Sequence, residues 1–185
     1  EVDGNRVGHI GFSYGGMIAI LTAYEQLRTH FVDGQERFAT HVSYYGPTVP
    51  RLEDYRTTGA PVAILNGRDD ANIDLKRLDL IAQDVQQGGS PVDNRVFDGI
   101  YHQWDSDDVE RRFDRFNIAD LKTTIDLQNT IINEKTGRAV TGFASRTMMI
   151  ARSVSLSGFC LQRDEETLAI TDALLLDAMA KTGAH

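Results

Sequence analysis

Residues 8–20 read GHIGFSYGGMIAI. One apolar run leads into a serine set among small residues, and a second leads away from it. As strand, turn and helix, this is a G-x-S-x-G turn running from Gly11 through Ser13 to Gly15, with Gly16 behind it. Such a turn forces its serine into a strained backbone conformation and needs small neighbours, here Gly11, Gly15 and Gly16. It aims the hydroxyl above the end of the strand. The following helix opens there with unpaired amides and the positive end of its dipole. A serine that merely caps the helix is the plainer reading of the same residues. A dinucleotide loop is disfavoured, because Gly8, Gly11, Gly15 and Gly16 do not fall into G-x-G-x-x-G spacing.

Outward from this turn the chain alternates. NRVGHIGFS (5–13) predicts a strand and YGGMIAILTAYEQLRTHF (14–31) a helix with two apolar lines. FATHVSYYG (38–46) predicts a strand stopped at Gly46-Pro47, followed by a polar connection over 47–60. APVAILNG (60–67) is a continuous apolar run, as in a strand covered on both faces. NIDLKRLDLIAQDVQQGG (72–89) predicts a helix with Leu78, Ile81 and Val85 on its buried face, and PVDNRVFDG (91–99) a fourth strand. This alternation implies an α/β fold with a parallel sheet and right-handed crossovers. Beyond it, 108–116 predicts a short charged helix, and 130–143 a hairpin about Lys135-Thr136-Gly137. DEETLAITDALLLDAMAKTG (164–183) predicts a closing helix, with Asp164 as N-cap and Leu168, Leu175 and Met179 buried.

Bulk properties narrow the function classes. A net charge of −8 argues against a nucleic-acid surface and against adsorption to an anionic membrane. No apolar run is long enough to span a bilayer. The single cysteine, Cys160, permits neither an internal disulfide nor a Cys-based zinc site, and leans weakly toward a cytoplasmic setting. DSDD (105–108) lacks the spacing and distal Glu of a calcium loop and reads as a solvated turn before a helix. No metal or organic cofactor is expected.

A serine hydroxyl is a poor nucleophile unless a base takes its proton and a carboxylate orients that base. At a nucleophile elbow the chain order is serine, acid, histidine. His9 precedes Ser13, His30 ends the first helix, His41 lies within a strand and His185 is terminal, which leaves His102 in a post-strand loop. The acid belongs just after the third strand, where LNGRDDAN (65–72) offers Asp69 and Asp70, with Asp74 a weaker option inside the helix. The residues alone leave Asp69 and Asp70 open. The Tyr14 backbone N–H directly follows the serine and is the natural oxyanion donor. Tyr101 and Trp104 flank the histidine and are candidate walls of a substrate pocket.

Four pieces of sequence resemble the dienelactone hydrolase family of α/β-hydrolases: RVGHIGFSYGG (6–16), Tyr44-Tyr45-Gly46, the G-x-x-D of Gly67 to Asp70, and YHQWD (101–105). The resemblance covers residues 1 to about 106 well and the closing helix loosely. It implies an α/β-hydrolase-like parallel sheet flanked by helices, with Ser13 as nucleophile, Asp70 as orienting acid and His102 as base. The founding members use cysteine where this chain has Ser13, so a general small ester or lactone is the expected substrate. GFSYGG (11–16) also resembles the elbow of prolyl-oligopeptidase-type peptidases, which makes peptide hydrolysis the rival chemistry.

The family carries strands and helices ahead of the elbow, including the loop that supplies the second oxyanion N–H. The expectation is a single, partial α/β-hydrolase domain over 1–185, lacking the N-terminal strands. An irregular insertion at about 107–157, either lid or decoration, and a closing helix at about 164–181 would complete it. A missing N-terminal segment or a homodimer would then cover the first strand, and a non-catalytic pairing module is the alternative outside the enzyme class.

Overall fold

A computed structural model describes residues 3–107, 112–114, 116–154 and 158–182. The main sheet has four parallel strands in the order β1 (Gly8–Phe12), β2 (Thr40–Tyr44), β4 (Val62–Gly67), β5 (Val92–Phe97). Each lies inside the stretch its apolar run predicts. β1 is an edge strand of this sheet among the described residues.

Two apolar clusters cover the two faces. On one, Ile20, Ala23 and Tyr24 meet Val62 and Ile64 of β4. Helix α3 (Leu75–Gln87) adds Leu78, Ile81 and Val85, the face its spacing predicts. On the other, Val42, Tyr44, Leu65 and Trp104 pack beneath Leu174, Leu175 and Ala178 of the closing helix α5 (Glu165–Lys181). Alternation of side chains along β2 and β4 divides the residues between the faces. Asp164 caps α5 by accepting from the Thr167 N–H at 2.8 Å. The inward side of α5 runs through Thr167, Thr171, Leu174 and Leu175, so the expected burial of Met179 is corrected: it is exposed.

The expected helix over 14–31 is two helices, α1 (Tyr14–Leu21) and α2 (Glu25–Phe31). Tyr24 is extended between them and bridges to Thr57, while the Glu25 N–H donates to the Arg56 carbonyl. Competition from a segment some thirty residues downstream breaks the helix, and no Gly or Pro announces it. Asp74, read as helical, is the N-cap of α3 and accepts from the Arg77 N–H at 3.1 Å.

The polar connection contains β3 (Pro50–Leu52), paired with β7 (Thr123–Ile125). β8 (Ile131–Asn133) and β9 (Arg138–Ala139) form the expected hairpin and complete this second sheet. It is tied to α3 by Arg77, whose guanidinium pairs with Glu134 at 2.6 Å. Ile125 and Ile131 enter the α1/α3 cluster. Helix α4 (Gly142–Ser153) follows. The helix expected over 108–116 is corrected where the structure describes it: 112–114 form strand β6 (Arg112–Asp114), antiparallel to β10 (Phe159–Leu161). Residues 108–111 and 115 lie outside the described residues.

Candidate active site

The site is assembled at the C-terminal ends of β1, β4 and β5. Ser13 directly follows β1 with φ 52° and ψ −118°, a positive-φ conformation that a residue with a Cβ rarely adopts. Such strain is tolerated only where surrounding packing enforces it. Here a Cβ at Gly11 would stand 1.9 Å from the Gly15 carbonyl oxygen, and one at Gly16 would stand 2.7 Å from that of Tyr44. Gly15, grouped with these two on sequence, has open space around its Cβ position. The Ser13 side chain makes no helix-capping hydrogen bond, which removes the plainer reading of the turn. Its Oγ instead lies 3.0 Å from His102 Nε2.

On its other side His102 presents Nδ1 to Asp70 Oδ2 at 2.6 Å. A carboxylate accepts, so Nδ1 carries the hydrogen and Nε2 is left to accept from the Ser13 hydroxyl. Both His102 and Asp70 are 1 % exposed, whereas Asp69, the alternative acid, is exposed. Asp70 and His102 lie in separate loops, and glycine brings them together. Gly67 ends β4 so close to the next loop that a Cβ there would lie 2.3 Å from the Ile100 carbonyl oxygen. The Asp69 N–H donates to that same carbonyl. Asp70 Oδ1 accepts from the Asn72 N–H at 2.9 Å, which fixes the carboxylate plane.

The His102 loop is held from the far end of the chain. The His102 N–H donates to the Cys160 carbonyl, and the Gln162 N–H donates back to that of His102. β10 thus runs beside the histidine, a pairing across almost sixty residues that the sequence does not reveal.

The Tyr14 amide is the first of α1, where an N–H has no intrahelical acceptor, and its side chain is exposed. Tyr101 is half-buried immediately before His102. Trp104 is corrected from pocket wall to core: it is 0 % exposed, its ring packs edge-on to Tyr45, and its Nε1 donates to Thr171 Oγ1. The rings of Tyr45 and Phe159 pack against His102, and the Tyr45 phenol donates to Asp105; the sequence analysis gave none of the three a role at the site. A large apolar groove of about 460 Å³ lies elsewhere, between Val7, Ile18, Leu21, Phe31 and Phe38, and none of the Ser13–His102–Asp70 set lines it. Among the described residues no group of three or more His, Cys, Asp or Glu is placed to hold a metal ion. No helix among them is long and apolar enough to cross a membrane.

Compared with known families, residues 1–119 match the dienelactone hydrolase family. The chain belongs to that family. Among solved structures, this dienelactone hydrolase family member is similar to MGS-M1, an α/β-hydrolase enzyme from a Medee basin deep-sea metagenome library. The identity is 20 %, the TM-score 0.44, and the match covers 56 % of this chain and 42 % of that one. It is also similar to a candidate dienelactone hydrolase from Klebsiella pneumoniae (22 %, TM-score 0.43, 54 % and 42 % covered). A third is a thermophilic esterase, Est2, from the planctomycete Thermogutta terrifontis with propionate bound (18 %, TM-score 0.44, 55 % and 47 % covered). The chain therefore spans less than half the length of each. Comparison with curated protein sequences gave no match. The parallel sheet with helices on both faces is the α/β architecture expected of a member of that family.

Proposed function

We propose that the chain carries the catalytic centre of a serine hydrolase that cleaves an ester or lactone of a small carboxylic acid through an acyl-enzyme. The observation that carries this is the continuous path from Ser13 Oγ to His102 Nε2 and from His102 Nδ1 to Asp70 Oδ2, on an elbow strained at Ser13. Ser13 Oγ attacks the carbonyl carbon as its proton passes to His102 Nε2. The charge that builds on the carbonyl oxygen faces the Tyr14 N–H and the opening of α1. His102 then protonates the leaving alkoxide, which departs as the alcohol or, for a lactone, stays tethered. Water, deprotonated by the same nitrogen, splits the acyl-enzyme and returns Ser13. Asp70 keeps the imidazole in the tautomer that this cycle needs. Tyr101 is the side chain next to the base assigned to the substrate.

A pairing role is the second reading, and the edge position of β1 favours it. Phe12 and Tyr14 beside that edge are 47 % and 66 % exposed. An unpaired edge readily accepts another strand.

The test is covalent labelling with a fluorophosphonate, followed by peptide mapping. The hydrolase reading predicts one adduct, on Ser13, absent in His102→Ala. A folded chain with no adduct, or with label spread over other serines, would sink it.

A further inference from the structure

Asp70 holds one nitrogen of the imidazole and β10 holds the main chain of His102. The Asp70 bond sets the direction of Nδ1, but a single hydrogen bond leaves the imidazole room to rock. Two aromatic rings pack against it and limit that motion. The Tyr45 centroid lies 4.7 Å from that of His102 at an interplanar angle of 59°, and the Phe159 centroid lies 4.7 Å away at 66°.

Tyr45 is held with unusual firmness for a packing residue. It directly follows β2 with φ 40°, a left-handed conformation uncommon for a bulky side chain and found mostly where neighbours enforce it. Its N–H donates to the Leu65 carbonyl at 2.7 Å, pinning it to β4. Its phenol donates to Asp105 Oδ1 at 2.5 Å, and Asp105 lies in the base loop three residues beyond His102. Burial, and then the Asp105 carboxylate, raise the phenol well above the ordinary tyrosine range, so the O–H stays a donor. The ring is buried, 3 % exposed, with Trp104 edge-on at 4.9 Å.

We propose that Tyr45 is a positioning residue for the base. Anchored by Asp105 and by its left-handed backbone, it clamps the His102 imidazole against Phe159 so that Nε2 stays aimed at Ser13. This rests on the Ser13–His102–Asp70 reading. It assigns roles to Tyr45, Asp105 and Phe159 that hydrogen bonding to the imidazole does not express.

The experiment uses the 185-residue chain with ¹⁵N-labelled histidine. It reads the far-downfield His102 Nδ1–H resonance, assigned by its loss in His102→Ala, alongside the fluorophosphonate labelling rate. Near-UV circular dichroism monitors the fold. Tyr45→Leu is expected to broaden or abolish the resonance and to slow labelling by about 10–100-fold, the scale of a sub-ångström to ångström misplacement. Tyr45→Phe keeps the ring but gives up the Asp105 anchor, so it should keep the resonance and label at a rate between those of Tyr45→Leu and the parent. Phe159→Leu removes the other ring packed on the imidazole and should act in the direction of Tyr45→Leu, which keeps the test decisive if Tyr45→Leu does not fold. A folded Tyr45→Leu or Phe159→Leu chain with the parent's resonance and rate would overturn the proposal. So would a Tyr45→Phe chain as impaired as Tyr45→Leu. A parent chain that shows the resonance, loses it in Tyr45→Leu and takes no label would contradict the hydrolase reading while upholding the clamp.

Discussion

The Ser13 amide donates a 2.9 Å hydrogen bond to the Tyr44 carbonyl, joining the end of β1 to the end of β2 at the strained residue itself. Ser13 is therefore held by its neighbour strand as well as by its own turn. Tyr44 is in turn held from the other face of the sheet, since its phenol donates to the Thr171 carbonyl of α5.

Glycines around the elbow are not equivalent. Gly11→Ala would drive a Cβ into backbone at 1.9 Å. It should cost about 1–3 kcal/mol or more, as overpacking does, and move the serine. Gly15→Ala meets open space and replaces a helix-disfavouring residue, so its effect should range from neutral to about 1 kcal/mol stabilising. Urea unfolding midpoints of the two variants decide this, and similar losses in both would contradict it.

Asp70→Asn tests the orienting role. An amide NH₂ facing His102 Nδ1 would favour the opposite tautomer, with Nε2 protonated and unable to accept from Ser13. The kcat for p-nitrophenyl acetate should fall by about 10³–10⁴-fold with little change in KM. The second oxygen's bond to the Asn72 N–H can be kept by the Asn carbonyl, so thermal stability should change far less than activity.

His41 predicts an acid-sensitive fold. It is fully buried in β2, with Nδ1 3.2 Å from Thr22 Oγ1, and His9 contacts the same hydroxyl at 2.8 Å. Burial, and then the neighbouring His9, push His41 down to about 4 from an ordinary value of 6.5. Between those values the unfolded chain binds the proton and the folded chain does not, so stability rises with pH. The contribution is complete above about pH 6.5 and is lost as pH falls toward 4, amounting to about 3 kcal/mol. Equilibrium unfolding at pH 7, 5.5 and 4.5 should show this slope, and His41→Asn should flatten it. A parallel slope in His41→Asn would refute the assignment.

Trp104 is the only tryptophan, so fluorescence reads its surroundings alone. Complete burial against Tyr44, Tyr45 and Phe97 predicts blue-shifted emission and little quenching by iodide. Strong iodide quenching in the folded chain would return Trp104 to a solvent-open pocket.

Local patterns carried the legible part of the structure. The apolar runs of β1, β2 and β4, the 3.6-residue line of Leu78, Ile81 and Val85, and the glycines around Ser13 are each written within a few residues of where they act. The parallel sheet follows from their order. The reading failed where partners are remote. Tyr24 breaks a helix because of Thr57, Arg112–Asp114 is extended because of β10, and β3 exists because of β7. The same distance hid the surroundings of His102. Phe159 lies more than fifty residues from His102, and Asp105 sits in a turn that reads as solvated. Tyr45 left one local trace, an aromatic residue standing just before Gly46 where the strand must stop. Trp104 misled because a bulky aromatic beside a histidine looks the same in sequence whether it lines a pocket or fills the core.

The central claim is that Ser13, activated by His102, is the nucleophile. The most direct measurement is kcat/KM for p-nitrophenyl acetate with the parent chain and Ser13→Ala at matched fold content. Hydrolysis by the parent should fall at least about 10³-fold in Ser13→Ala, as removal of a triad member does. Equal rates in the two, or hydrolysis surviving in a folded Ser13→Ala chain, would contradict it.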